Sequence, residues 1–138
     1  MAGIVVDASV AAAWLLPDEA TPFTEAALLA TTTSEVWVPA LWLLEIGNLL
    51  LNAQRRKRIT DAKRQELVAA CAALRLRVDR EPVSMLDLDQ LATRHRLTTY
   101  DATYLELALR RKLPLASLDK ALGSAMREAG VPAAEFAG

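Results

Sequence analysis

Gly3-Ile4-Val5-Val6-Asp7-Ala8-Ser9-Val10 changes register in the middle, and that change decides the fold. Ile4, Val5 and Val6 show no polar alternation, the pattern of a strand covered on both faces. The run stops at Asp7, and Ala8 to Leu16 then reads as a helix closed by the ring of Pro17. The same change recurs at Leu115-Ala116-Ser117-Leu118-Asp119, where a helix is predicted from Lys120 to Ala129 and Gly130 is placed to end it. Val36-Trp37-Val38, stopped by Pro39, and the weakly alternating Arg75-Leu76-Arg77-Val78 supply two more strands.

Helices fill the intervals. They are predicted from Pro22 to Ala30, from Ala40 to Arg58, from Asp61 to Leu74 behind the cap Thr60, from Ser84 to Arg94, and from Ala102 to Lys112. Leu97-Thr98-Thr99 reads as a brief extended piece, and Val131 as the start of a last edge strand. Short apolar strands alternating with helices imply an α/β fold with a mainly parallel sheet covered on both faces. Ligands then bind outside the carboxyl ends of the strands.

The 138 residues suit a single domain over 1–138. The interior must be Ala, Leu and Val, because 53% of the chain is hydrophobic and only 5% aromatic. A net charge of −1 carries no signature of a nucleic-acid binder, so any such signal must be local. The one cysteine, Cys71, has no partner for an internal disulfide, which suits a reducing cytosol. No stretch approaches ~18 uninterrupted apolar residues, so no membrane span is expected. A basic amino-terminal leader is also absent, and the expected location is cytoplasmic.

Asp7 and Asp119 follow strand runs and open helices, and Asp101 repeats that arrangement after Leu97-Thr98-Thr99-Tyr100. Turns of this kind share one edge of a parallel sheet, so three carboxylates should converge there. Helix capping explains any one of them equally well. Glu45 discriminates better. It is the sole acid between Val36 and Thr60 and sits within Leu41-Trp42-Leu43-Leu44-Glu45-Ile46-Gly47-Asn48-Leu49. A buried carboxylate without a partner costs several kcal/mol, so such a group is paired with a distant arginine, protonated or metal-bound. Like charges ~4 Å apart repel by ~4 kcal/mol at an effective dielectric near 20, and a divalent cation relieves that. An all-oxygen set suits Mg²⁺ or Mn²⁺. No zinc spacing is present, and His95 stands alone between Arg94 and Arg96.

In order along the chain, Val5-Val6-Asp7-Ala8-Ser9-Val10, Leu44-Glu45-Ile46-Gly47-Asn48-Leu49-Leu50, Leu97 to Ala108 and Leu115-Ala116-Ser117-Leu118-Asp119 resemble the conserved segments of PIN-domain nucleases. The pattern is most similar to VapC toxins of type II toxin–antitoxin pairs. The resemblance implies a three-layer α/β/α sandwich and a Mg²⁺- or Mn²⁺-dependent endoribonuclease acting on RNA. It also implies a homodimer and a cognate VapB-like antitoxin that blocks the site. Asp7, Glu45, Asp101 and Asp119 match the family's acidic quartet. Ser9 matches a hydroxyl residue two after the first acid, and Asn48 a frequent polar neighbour of the glutamate. Ser117 stands where Thr is more usual. Many relatives carry a further acid after the last one, whereas this chain reads Asp119-Lys120-Ala121-Leu122, which argues against a fully formed second metal site.

Arg55-Arg56-Lys57-Arg58 and Arg110-Arg111-Lys112 close two of the predicted helices. Cations there complement the helix dipole, or they form a basic rim for RNA phosphates. Trp14, Trp37 and Trp42 read as core or subunit-interface residues, and Tyr104 as an edge of the cleft. The competing functions are a non-catalytic PIN-like module that binds RNA or protein, and a phosphotransfer protein with aspartates at strand ends. The first would normally lack one of the four acids. The second would want an Asp where Ser9 stands, or paired acids near the first strand.

Overall fold

The apolar run near the amino end forms β1 (Gly3–Val6), and every residue in it is buried. A computed structural model describes residues 3–136. The terminal pairs 1–2 and 137–138 of the expected single domain lie outside the described residues. β1 leads to α1 (Ala8–Leu15), a 3₁₀ turn (Pro17–Glu19) and α2 (Pro22–Ala30). β2 (Glu35–Pro39) leads to α3 (Ala40–Arg55) and α4 (Asp61–Ala73). β3 (Leu76–Asp79) is followed by α5 (Met85–His95) and α6 (Thr99–Arg111), and β4 (Leu115–Ala116) by α7 (Lys120–Ala129).

The four strands pair in parallel in the order β3-β2-β1-β4. The chain steps outward from β1 to β2 to β3, then returns to the far side of β1 for β4. The winding therefore reverses between β1 and β4, where an open parallel sheet forms a crevice at its carboxyl edge. Asp7 sits at that edge, its backbone N–H donating to the Ala116 carbonyl of β4 at 3.1 Å.

The expected three layers are present. Val5, Val38 and Leu115 face one apolar cluster with Trp42, Ile46 and Leu50 of α3, Tyr104 and Leu105 of α6 and Leu122 of α7. Ile4, Val6, Val36 and Ala116 point the other way, against Ala27 of α2 and Val10 of α1. Alternation within strands buried on both faces thus feeds two cores at once. Trp42, Ile46 and Leu50 recur at helical spacing and form the buried stripe of α3. Trp14 donates its indole N–H to the Thr24 carbonyl at 2.8 Å and ties α1 to α2.

Several boundaries differ from the sequence reading. Leu97-Thr98-Thr99 forms no strand: Thr98, extended in its backbone, caps α6, its hydroxyl accepting from the Asp101 N–H at 3.1 Å. Of two adjacent hydroxyl residues the first took the cap, so α6 begins at Thr99 rather than Ala102. α3 ends at Arg55 rather than Arg58, because Lys57 adopts a left-handed conformation (φ 61°). Bonds from Lys57 N to Gln54 O and from Arg58 N to Ala53 O then close the helix end. Gly130 ends α7 in the same way at φ 76°, as expected. The edge strand expected at Val131 reduces to a single bridge between Leu115 and Ala133. β3 begins one residue later than read and ends on Asp79, an acid the sequence reading passed over.

Candidate active site

Asp7 is 4% exposed, yet each of its carboxylate oxygens is served. Oδ1 accepts from the Ser9 hydroxyl at 2.6 Å and from the Val10 N–H at 3.2 Å, and Oδ2 accepts from the Ser117 hydroxyl at 2.5 Å. Asp7 is therefore an N-cap of α1 and a buried charge at once. Burial pushes its pKa above the usual carboxylate range, and the Ser117, Ser9 and Val10 bonds oppose that shift. Both serines also accept from the turn after β4: Ser9 Oγ from the Leu118 N–H at 2.9 Å, and Ser117 Oγ from the Asp119 N–H at 3.0 Å. These two hydroxyls join Asp7 to the segment carrying Asp119, across the β1/β4 crevice.

Asp119 is exposed and caps α7, its Oδ2 accepting from the Leu122 N–H at 2.8 Å. Asp101 lies in the first turn of α6 rather than at a strand end. Burial raises its pKa, and the charges of Asp119, Asp7 and Glu45 push it further in the same direction. The four acids thus share one electrostatic neighbourhood. Glu45 is half-buried on α3, and no arginine pairs with it among the described residues. Its partner is the Tyr104 hydroxyl, which donates to Oε1 at 2.5 Å. Tyr104 is 1% exposed, so it lies beneath the cleft and does not edge it. Burial, then the bond to Glu45, hold its phenol far above the usual range, and it stays a proton donor.

Among the described residues, no three acidic, histidine or cysteine side chains stand close enough to share one ion as placed. Hydroxyls hold the oxygens of Asp7 and Glu45. The donor set itself is entirely carboxylate and hydroxyl oxygen, the chemistry of a hard divalent cation.

Glu45 and Asn48 line two surface grooves. One, of about 410 Å³, continues along Asn52 to Arg56 and Arg58; the other, of about 540 Å³, is bounded by Leu41, Leu44 and Tyr100. Arg55, Arg56, Lys57 and Arg58 are all exposed, and Arg58 also meets Asp18 at 3.1 Å.

Arg110 and Arg111, expected as candidates for phosphate contact, have another occupation. Arg110 donates to Asp79 at 3.1 and 2.7 Å and also bonds Glu81 and Glu106. Arg111 donates to Asp79 at 3.0 Å and lies 3.6 Å from the centre of the Trp37 ring. Both guanidiniums are bonded to a buried carboxylate that no local pattern announced. Trp42 is a core residue, 2% exposed.

A family model described as PIN domain matches residues 4–127. No curated protein matches the sequence. Among solved structures, the chain resembles PAE2754 from Pyrobaculum aerophilum at 22% identity and a TM-score of 0.71, covering 90% of this chain and 84% of that one. FitAcB from Neisseria gonorrhoeae follows at 17% identity and 0.67, with 96% of each chain covered. VapC20 from Mycobacterium tuberculosis, described as a sarcin-ricin loop cleaving toxin, is similar at 18% identity and 0.58, with 88% and 94% covered.

Proposed function

The chain belongs to the PIN-domain family, and from that premise we propose that it is a metal-dependent endoribonuclease, the toxin of a toxin–antitoxin pair. The observation that carries this reading is the Asp7 carboxylate at the carboxyl edge of the parallel sheet, joined through the Ser9 and Ser117 hydroxyls to the turn that bears Asp119, with Asp101 and Glu45 on the helices that flank it. Capping accounts for Asp7 and Asp119 singly. It does not account for Glu45, a mid-helix acid, standing among them.

In this reading Asp7, Glu45, Asp101 and Asp119 hold Mg²⁺ or Mn²⁺. When bound, such an ion supplies a nucleophilic water at neutral pH and offsets charge developing on a phosphodiester. The remaining work belongs to the chain. Ser9 and Ser117 orient Asp7 and keep the Asp119 turn against β1. Asn48 and Asn52 offer amide groups to RNA along the groove that starts at Glu45, and Arg55, Arg56, Lys57 and Arg58 provide its basic rim. Retention of all four acids favours catalysis over a PIN-like module that only binds. The likeness to VapC20, a sarcin-ricin loop cleaving toxin, supports the substrate class, and a VapB-like antitoxin is the partner this role requires. A cytoplasmic location accords with the role. Among the described residues, no helix is long and apolar enough to cross a membrane.

Cleavage of a structured RNA by the purified protein, with and without chelator, tests the reading. Chelator should silence it, and Mg²⁺ or Mn²⁺ should restore it. Asp7→Asn and Asp101→Asn should each lower the rate by 100-fold or more, an order-of-magnitude expectation for loss of a charge-stabilising group. Undiminished cleavage in chelator would sink it.

A further inference from the structure

Tyr104 is the one fully buried phenol among the described residues, and the only hydrogen bond its hydroxyl makes is to Glu45, 59 positions away. A core position that needed only volume would be filled by Phe, because a buried hydroxyl must then find a partner. Tyr104 lies three residues after Asp101, so both project from one side of α6. α6 therefore delivers one carboxylate to the site and, a turn later, reaches across to α3 and grips another. Glu45 has no other side-chain hydrogen bond among the described residues, whereas Asp7 is held at both oxygens. A glutamate is long and rotates freely, and here it stands where two open grooves meet.

We propose that Tyr104 is a positioning residue for Glu45, holding Oε1 so that the carboxylate is presented to the divalent cation in one orientation. The inference rests on the proposed metal site and adds to it a residue that touches neither metal nor RNA. Partners of this outer kind usually change metal affinity by 10–100-fold when removed.

The test is Mn²⁺ binding by calorimetry on the full chain, in wild type, Tyr104→Phe, Glu45→Gln and the double variant, with melting temperatures recorded without metal. Tyr104→Phe should weaken Mn²⁺ binding about 10-fold or more. In the Glu45→Gln background the same change should weaken it no further, since the hydroxyl acts through that carboxylate. A hydroxyl that serves packing alone would lower the melting temperature and leave the Mn²⁺ dissociation constant unchanged. That result, or additive losses in the double variant, overturns the positioning role while the metal site stands. Absence of Mn²⁺ binding by the wild type overturns the site itself and this role with it.

Discussion

Asp7 concentrates the conflict at this site, since it is the most buried of the four acids and is bonded only to neutral groups. An ionised carboxylate in that position is tolerable because hydroxyl and amide donors surround it. Ser117 is the single donor to Oδ2, and the same hydroxyl accepts from the Asp119 N–H. Ser117→Ala should therefore destabilise the protein by roughly 1–3 kcal/mol, the usual cost of leaving a buried charged group short of a bond. Ser117→Thr keeps the hydroxyl and should unfold near the wild-type urea midpoint. Equal loss in both variants would point to steric crowding and away from the hydrogen bond.

At the scale of the element, α6 is fastened at both ends. Thr98 closes its amino end beside Asp101, and Arg110 and Arg111 fasten its carboxyl end to Asp79 at the tip of β3. The Arg110 hydrogen bond, opposed by burial and aided by Arg111, holds the Asp79 carboxyl below the usual range. A depressed native pKa contributes stability above the unfolded value of about 3.9, and that contribution fades as pH falls through the native value. Asp79→Asn should thus cost roughly 1–3 kcal/mol at pH 7, where charged hydrogen bonds are lost. The gap from wild type should begin to narrow near about pH 4, where the unfolded-state carboxylate takes up its proton, and should close further as pH falls toward the lower native value. Urea denaturation across pH 3 to 7 measures it, and a gap constant over that range would contradict the clamp.

For the whole molecule, α3 presents more apolar surface than its own core uses. Leu44 is 73% exposed, Leu43 45% and Leu51 38%, while Trp42, Ile46 and Leu50 are buried. A contiguous exposed apolar patch marks an interaction site, and a two-fold dimer is the commonest closed way to cover one. The homodimer proposed on this ground would bring two copies of the basic rim at Arg55–Arg58 into fixed relation. Leu44 is the residue to test, since a charge at the buried Trp42 would report on the core instead. Leu44→Glu should convert a dimer to a monomer at micromolar concentration by light scattering. A wild-type chain that is already monomeric contradicts the dimer.

Local pattern was enough for the layered α/β plan, for three of the four acids in their places on the chain, and for Gly130 as a helix end. Apolar runs of strand length, helix formers and caps constrain the backbone over a few residues, and neighbours in sequence carry that information. Asp101 is expected at the end of an extended piece and stands in the first turn of α6, because adjacent threonines compete for one cap and Thr98 takes it. The partners were out of reach. Tyr104 meets Glu45 across 59 residues, Ser117 meets Asp7 across 110, and Asp79 draws in Arg110 and Arg111 from another helix. Which donor answers a buried carboxylate is settled only when separate elements pack, since it depends on distance through space and on the exclusion of water, and neither is written in local spacing.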